Sequence, residues 1–149
     1  MINFNTTEYD KLKISFLKRM ADYWLRQFLL NNTKQNAYKQ IKCPIKNRYF
    51  KPNNMEASHF IDRSVMATRY DLDNVHLISK QSNTWDAQVQ VEGYKSKHHK
   101  EYEEMLKFKL GEKKFEELLD KSKEITIFAR KDYIRVIEKF RNGSTKTSF

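Results

Sequence analysis

The stretch "MEASHFIDRS", residues 55–64, carries His59, one of four histidines in the chain, with Arg63 four positions on. A neutral imidazole titrates near neutral pH, so it can take a proton from water. The same ring can also simply pack. The residues downstream of His59 bear on the choice. "DNVHL" at 73–77 supplies Asn74 and His76, and "SN" at 82–83 supplies Asn83. Arg63 and Arg69 lie between, and a guanidinium grips a phosphate with two parallel hydrogen bonds. A base, amides and phosphate-matching cations thus succeed one another within thirty residues.

These groups need elements to hold them. "MEASHFID" (55–62) and "NVHLIS" (74–79) read as short strands. "RSVMATRYDLD" reads as the loop between them, and "KQSN" leads into a helix beginning near Asn83. Ahead of this, residues 8–30 read as an amphipathic helix with an apolar stripe of Leu12, Phe16, Met20, Tyr23 or Trp24, and Phe28. Thr7 is a candidate cap, and "NNT" at 31–33 a stop. Behind it, three helices are expected. One runs from Tyr94 to Leu110, with Gly111 just past its end. A second covers "EKKFEELLDKSK", with Phe115, Leu118 and Leu119 on one face. The third spans 126–141 and buries Ile127, Ile134, Ile137 and Phe140. His98 and His99 are expected to be solvated on a charged helix.

The composition fits such a domain. The chain has 149 residues, 39% hydrophobic and 32% charged, with three glycines and two prolines. That suits one helix-rich domain over 1–149, not a disordered chain or a turn-rich all-β fold. The net charge is +10, which calls for an anionic partner. The surplus is concentrated. From Arg26 to Lys51 there is no Asp or Glu. The segment holds Arg26, Lys34, Lys39, Lys42, Lys46, Arg48 and Lys51, interleaved with Tyr38, Tyr49 and Phe50. Basic residues among aromatics suit a nucleic-acid backbone, and a solvated loop is the plain alternative. The single cysteine, Cys43, can form neither an internal disulfide nor a thiolate zinc site alone. No stretch approaches the ~18 apolar residues of a membrane span, and no signal-like run opens the sequence. A soluble intracellular protein is expected.

The ordered set in "ASHF" and "TRYDLDNVHLISKQSN" resembles the HNH (ββα-metal) nuclease motif. It is most similar to the phage NinG (Rap) recombination proteins. Asn74 and Asn83 are nine positions apart, the family spacing. The likeness extends through "GYKSKHHKEYEEMLKFKLGEKKFEELL", covering roughly residue 41 to the third C-terminal helix. The resemblance implies an α+β fold with a ββα core at about 55–93, flanked by the N-terminal helix and the C-terminal helices at 94–141.

It also implies roles. The function would be metal-dependent hydrolysis of phosphodiester bonds in branched or structured DNA, in phage or prophage recombination in the host cytoplasm. His59 would be the general base. Asn83 would ligate Mg²⁺ or Mn²⁺ through its amide oxygen. Asn74 would hold the inter-strand loop within the catalytic set. His76 would line the cleft or orient the phosphate, although a lone histidine on a strand is more often structural. Arg63, Arg69, Lys42, Lys46, Arg48 and Lys51 would contact DNA. A homodimer would serve two-strand cutting.

The sequence also departs from the family. Where many HNH enzymes have an Asp metal ligand just before the base, Ser58 stands. Glu56, on the same strand face, and Asp62 are the other candidates for that ligand, and the sequence does not choose. The family's zinc cysteines correspond to Cys43, Lys46, Ser79 and Ser82, so no structural zinc is expected and Cys43 is an inert remnant. Two other classes stay open: a nuclease-derived DNA-binding or virion protein, and an interaction protein that binds an acidic partner.

Overall fold

The computed structural model describes residues 6–82 and 97–144. The fold is mixed helix and strand, as expected for an α+β chain. It divides into two compact units, one of Met1–Asn32 with Ile127–Phe149 and one of Thr33–Thr126.

The first unit is helical. A single turn, α1 (Thr6–Tyr9), precedes α2 (Ile14–Asn32). α2 packs along the C-terminal helix, Arg130–Ser144. The buried row on α2 is Leu17, Ala21 and Leu25, spaced by four, as one helix face requires. The expected stripe is one residue off: Phe16 and Tyr23 are exposed. Small Ala21 at the centre lets the partner helix approach, which an aromatic row would not. Phe28 flanks this row with its ring 5.3 Å from Phe140. A Cβ on Gly143 would fall 2.5 Å from the Phe28 ring, so the close approach depends on glycine. Asn31 and Asn32 donate to the carbonyls of Ser144 and Gly143, satisfying groups that a helix end leaves orphaned. The C-terminal helix buries Tyr133, Ile134, Ile137 and Phe140. It starts later than expected, because Asp132 accepts from the Ala129 N–H at 2.7 Å. That leaves Ile127 outside the helix and 87% exposed, against the sequence expectation.

The second unit opens on a hairpin absent from the sequence reading. β1 (Ile41–Cys43) pairs antiparallel with β2 (Arg48–Phe50). Its turn closes with Asn47 donating to the Cys43 carbonyl at 2.8 Å, at a φ of +56° that Asn tolerates better than most residues. β1 packs against β4.

After a 3₁₀ turn at Pro52–Asn54 come β3 (Met55–His59) and β4 (Val75–Ser79), paired antiparallel with Ser58 opposite His76 and His59 opposite Val75. All five β4 residues are buried. The chain turns helical at 80–82. The expected helix from Asn83, with Asn83 itself, lies outside the described residues. α3 (Lys97–Leu110) and α4 (Glu112–Lys121) pack together across Gly111. Gly111 has a φ of +82°, which a side-chain-bearing residue rarely adopts. Phe115 and Leu118 are buried on α4, and Leu119 sits at the rim at 36% exposure. The last helix of the first unit, Arg130–Ser144, is α5.

Candidate active site

His59 ends β3 and is half-buried. Its Nε2 lies 2.9 Å from the Arg69 backbone carbonyl. A carbonyl only accepts, so Nε2 carries the proton and donates. Nδ1 is then the nitrogen with the lone pair. The fold thereby selects one tautomer and one ring orientation, which is what a general base needs.

The tether works only if the loop 60–74 is held. Asn74, fully buried at its end, does that. Its Oδ1 accepts from the Ile61 N–H at 2.7 Å, and its Nδ2 donates to the Ile61 and Thr68 carbonyls at 3.1 Å each. The Phe60 N–H adds a bond to the Asn74 carbonyl. Asn74 therefore staples both ends of the loop. It is a positioning residue, and its amide is turned inward, away from any substrate.

Arg69 also serves the loop. It is 4% exposed. Its Nη1 donates to the Arg63 carbonyl at 2.7 Å and its Nε to the Tyr70 hydroxyl at 3.2 Å. The expected phosphate clamp is thus built into the protein, and what it offers His59 is its main-chain carbonyl. Arg63, by contrast, is exposed on the same loop.

His76 takes the structural role that a lone strand histidine usually has. It is 5% exposed beneath the hairpin. Its Nδ1 lies 2.9 Å from the Tyr102 hydroxyl, which donates to the Ser58 carbonyl at 2.9 Å. The hydroxyl's one proton goes to Ser58, so Nδ1–H of His76 donates to it. Nε2 is left a buried lone pair with no hydrogen-bond partner. Burial above all, then the charges of Lys109 and His59, push His76 down to about 3. It is neutral at working pH and cannot orient a phosphate. His98 and His99 are likewise not on a solvated face. Both are half-buried, and the His99 ring lies 4.8 Å from the Phe60 ring, tilted by 38°.

The candidates for the second metal ligand separate by face. Ser58 and Glu56 pair with His76 and Ile78, so they share the hairpin face opposite His59. Ser58 is buried at 4% exposure. Asp62, three residues beyond His59, is exposed. Its Oδ1 accepts from the Ser64 N–H at 2.8 Å. Hydrogen bonds from Ser64, then the charges of Arg63 and His59, hold its carboxyl below the usual range, so it is an ionised oxygen donor near the base. Among the described residues, no group of three or more His, Cys, Asp or Glu is arranged to hold a metal ion. Asp62 fits an ion with few protein ligands, not a fully caged one.

The four remaining cations gather. Lys42, Lys46, Arg48 and Lys51 are all exposed on or beside the β1–β2 hairpin. Lys42 lies opposite Tyr49 on the outer face. At the positions of the family's zinc cysteines, Cys43 is buried, and Ser79 and Ser82 are joined Oγ to Oγ at 3.0 Å. Sequence reasoning missed Tyr102, which ties α3 to the hairpin; no local signal distinguishes it from other helical tyrosines. No family model, curated protein or solved structure matches the chain.

Proposed function

We propose that this chain is a metal-dependent DNA endonuclease of the HNH kind, acting on branched or structured DNA in phage recombination in the host cytoplasm, with a homodimer serving two-strand cutting. The observation that carries the reading is the tether of His59 Nε2 to the Arg69 carbonyl, within a loop stapled by Asn74. In this scheme Nδ1 of His59 takes a proton from water as the water oxygen attacks phosphorus. The ester P–O bond breaks, and the leaving oxygen takes a proton from solvent. Asn83, as the resemblance implies, and Asp62, the ionised carboxylate three residues beyond His59, would hold a Mg²⁺ or Mn²⁺, which would supply charge neutralisation on the phosphate. Arg63 and the hairpin cations hold the DNA backbone.

Cleavage of labelled linear and four-way-junction DNA, with Mg²⁺ or Mn²⁺ and with chelator, tests this. Metal-dependent cutting by the wild type that is lost in His59→Ala supports it. Intact DNA in every arm contradicts it. A second reading, DNA binding without catalysis, is favoured by the exposed hairpin cations, which do not depend on His59. It predicts equal, salt-sensitive binding by both proteins and no cutting.

A further inference from the structure

A cleft of about 380 Å³ lies within the second unit, lined by Lys46, Arg48, Gln81, Ser82 and His98. It uses neither His59 nor the loop 60–74. Its character is set by three elements. The hairpin turn brings Lys46, and the start of β2 brings Arg48. The helical turn at 80–82 brings Gln81 and Ser82, and α3 brings His98. Among the described residues, no Asp or Glu lines it.

The two cations are not equivalent. Arg48 stands over the Phe50 ring at 5.4 Å, and such stacking restricts a guanidinium before any ligand arrives. Lys46 is an exposed point charge on the turn. The polar wall is also ordered. Ser82 is 3% exposed. Its N–H donates to Ser79 Oγ at 3.4 Å, and Ser79 Oγ–H donates to Ser82 Oγ at 3.0 Å. This pairing fixes both hydroxyls in the cleft wall.

Two cations beside a serine hydroxyl and an amide match a dianionic phosphate monoester, whose oxygens accept from an Arg fork and a Lys together. The volume falls in the range of small-ligand sites, roughly 300–1,000 Å³, so the cleft has room for more than a bare anion. We infer that it binds a phosphate monoester carried on a nucleotide-sized group, such as the 5′-terminal nucleotide of a nucleic-acid strand.

The test is fluorescence anisotropy in EDTA, so that no cutting is required and failure of the nuclease reading leaves the outcome untouched. The probes are one short single strand with a 5′-phosphate or a 5′-hydroxyl, and a free nucleoside 5′-monophosphate as competitor. The wild type should prefer the 5′-phosphate by about tenfold, a modest return for charge-assisted hydrogen bonds. Arg48→Gln and Lys46→Gln should each bring that preference near unity. Lys42→Gln, on the outer face of the same hairpin, should weaken both strands alike and keep the ratio. His59→Ala should also keep it. Arg48-dependent binding of the free monophosphate without strand preference would keep the phosphate pocket and make free nucleotides its ligand. Absence of Arg48-dependent binding for both ligands, or an equal loss of the ratio in Lys42→Gln, would overturn the inference.

Discussion

At the scale of single residues, two arginines six positions apart do opposite work. Arg69 fastens the loop from inside, and Arg63 faces solvent. Arg69→Ala should destabilise the protein by about 1–3 kcal/mol, since it strands the Arg63 carbonyl. It should also slow cleavage, by loosening the carbonyl that orients His59. Arg63→Ala should change stability by about 0.5 kcal/mol or less while weakening DNA binding. Denaturant melts beside binding curves check the pair, and an equal loss of stability in both would sink the distinction. His76 gives a pH signature. Its folded pKa is depressed to about 3 from 6.5, so the unfolded chain takes up the proton first. Its penalty is absent above pH 6.5 and grows as pH falls, by about 1.4 kcal/mol per unit, until about pH 3. Stability measured against pH should be less steep by that amount in His76→Gln, and parallel curves would contradict it. The sequence marked His59 and Asn74 by type and order, and the structure joins both to the loop 60–74. It could not sort Arg69 from Arg63, because that depends on how the loop folds back.

At the scale of elements, close approach matters more than apolar pattern. α2 and α5 meet where Ala21 and Gly143 leave room, and Phe28 lies over Gly143. Gly143→Ala should cost about 1–3 kcal/mol through overpacking, and Phe28→Leu in the same chain should recover part of it. Thermal melts of the single and double variants check this; additive losses would contradict the contact. The helices were legible by periodicity, yet α2's stripe was displaced by one residue, because bulky aromatics dominate a pattern while a small residue sets the contact. The β1–β2 hairpin was illegible for another reason. Strands of three residues are too short to show a period of two, and their exposed lysines read as a loop.

At the scale of the whole molecule, a net charge of +10 predicts binding to polyanions that weakens with salt. Replacing Lys42 and Lys51 together by Gln should flatten the plot of log affinity against log salt by about 2, near 0.9 per lost phosphate contact. An unchanged slope would remove the hairpin from the DNA interface. Among the described residues, no helix is long and apolar enough to cross a membrane. The charge concentration on the hairpin was plain in the sequence, whereas the division into two units was not, since it depends on which distant segments meet. The central claim is that the tethered His59 is a general base, and metal-dependent cleavage of junction DNA by wild type and His59→Ala tests it most directly. The account predicts cutting by the wild type that chelator abolishes and that His59→Ala lacks while still binding DNA. Cutting that survives in His59→Ala would contradict it.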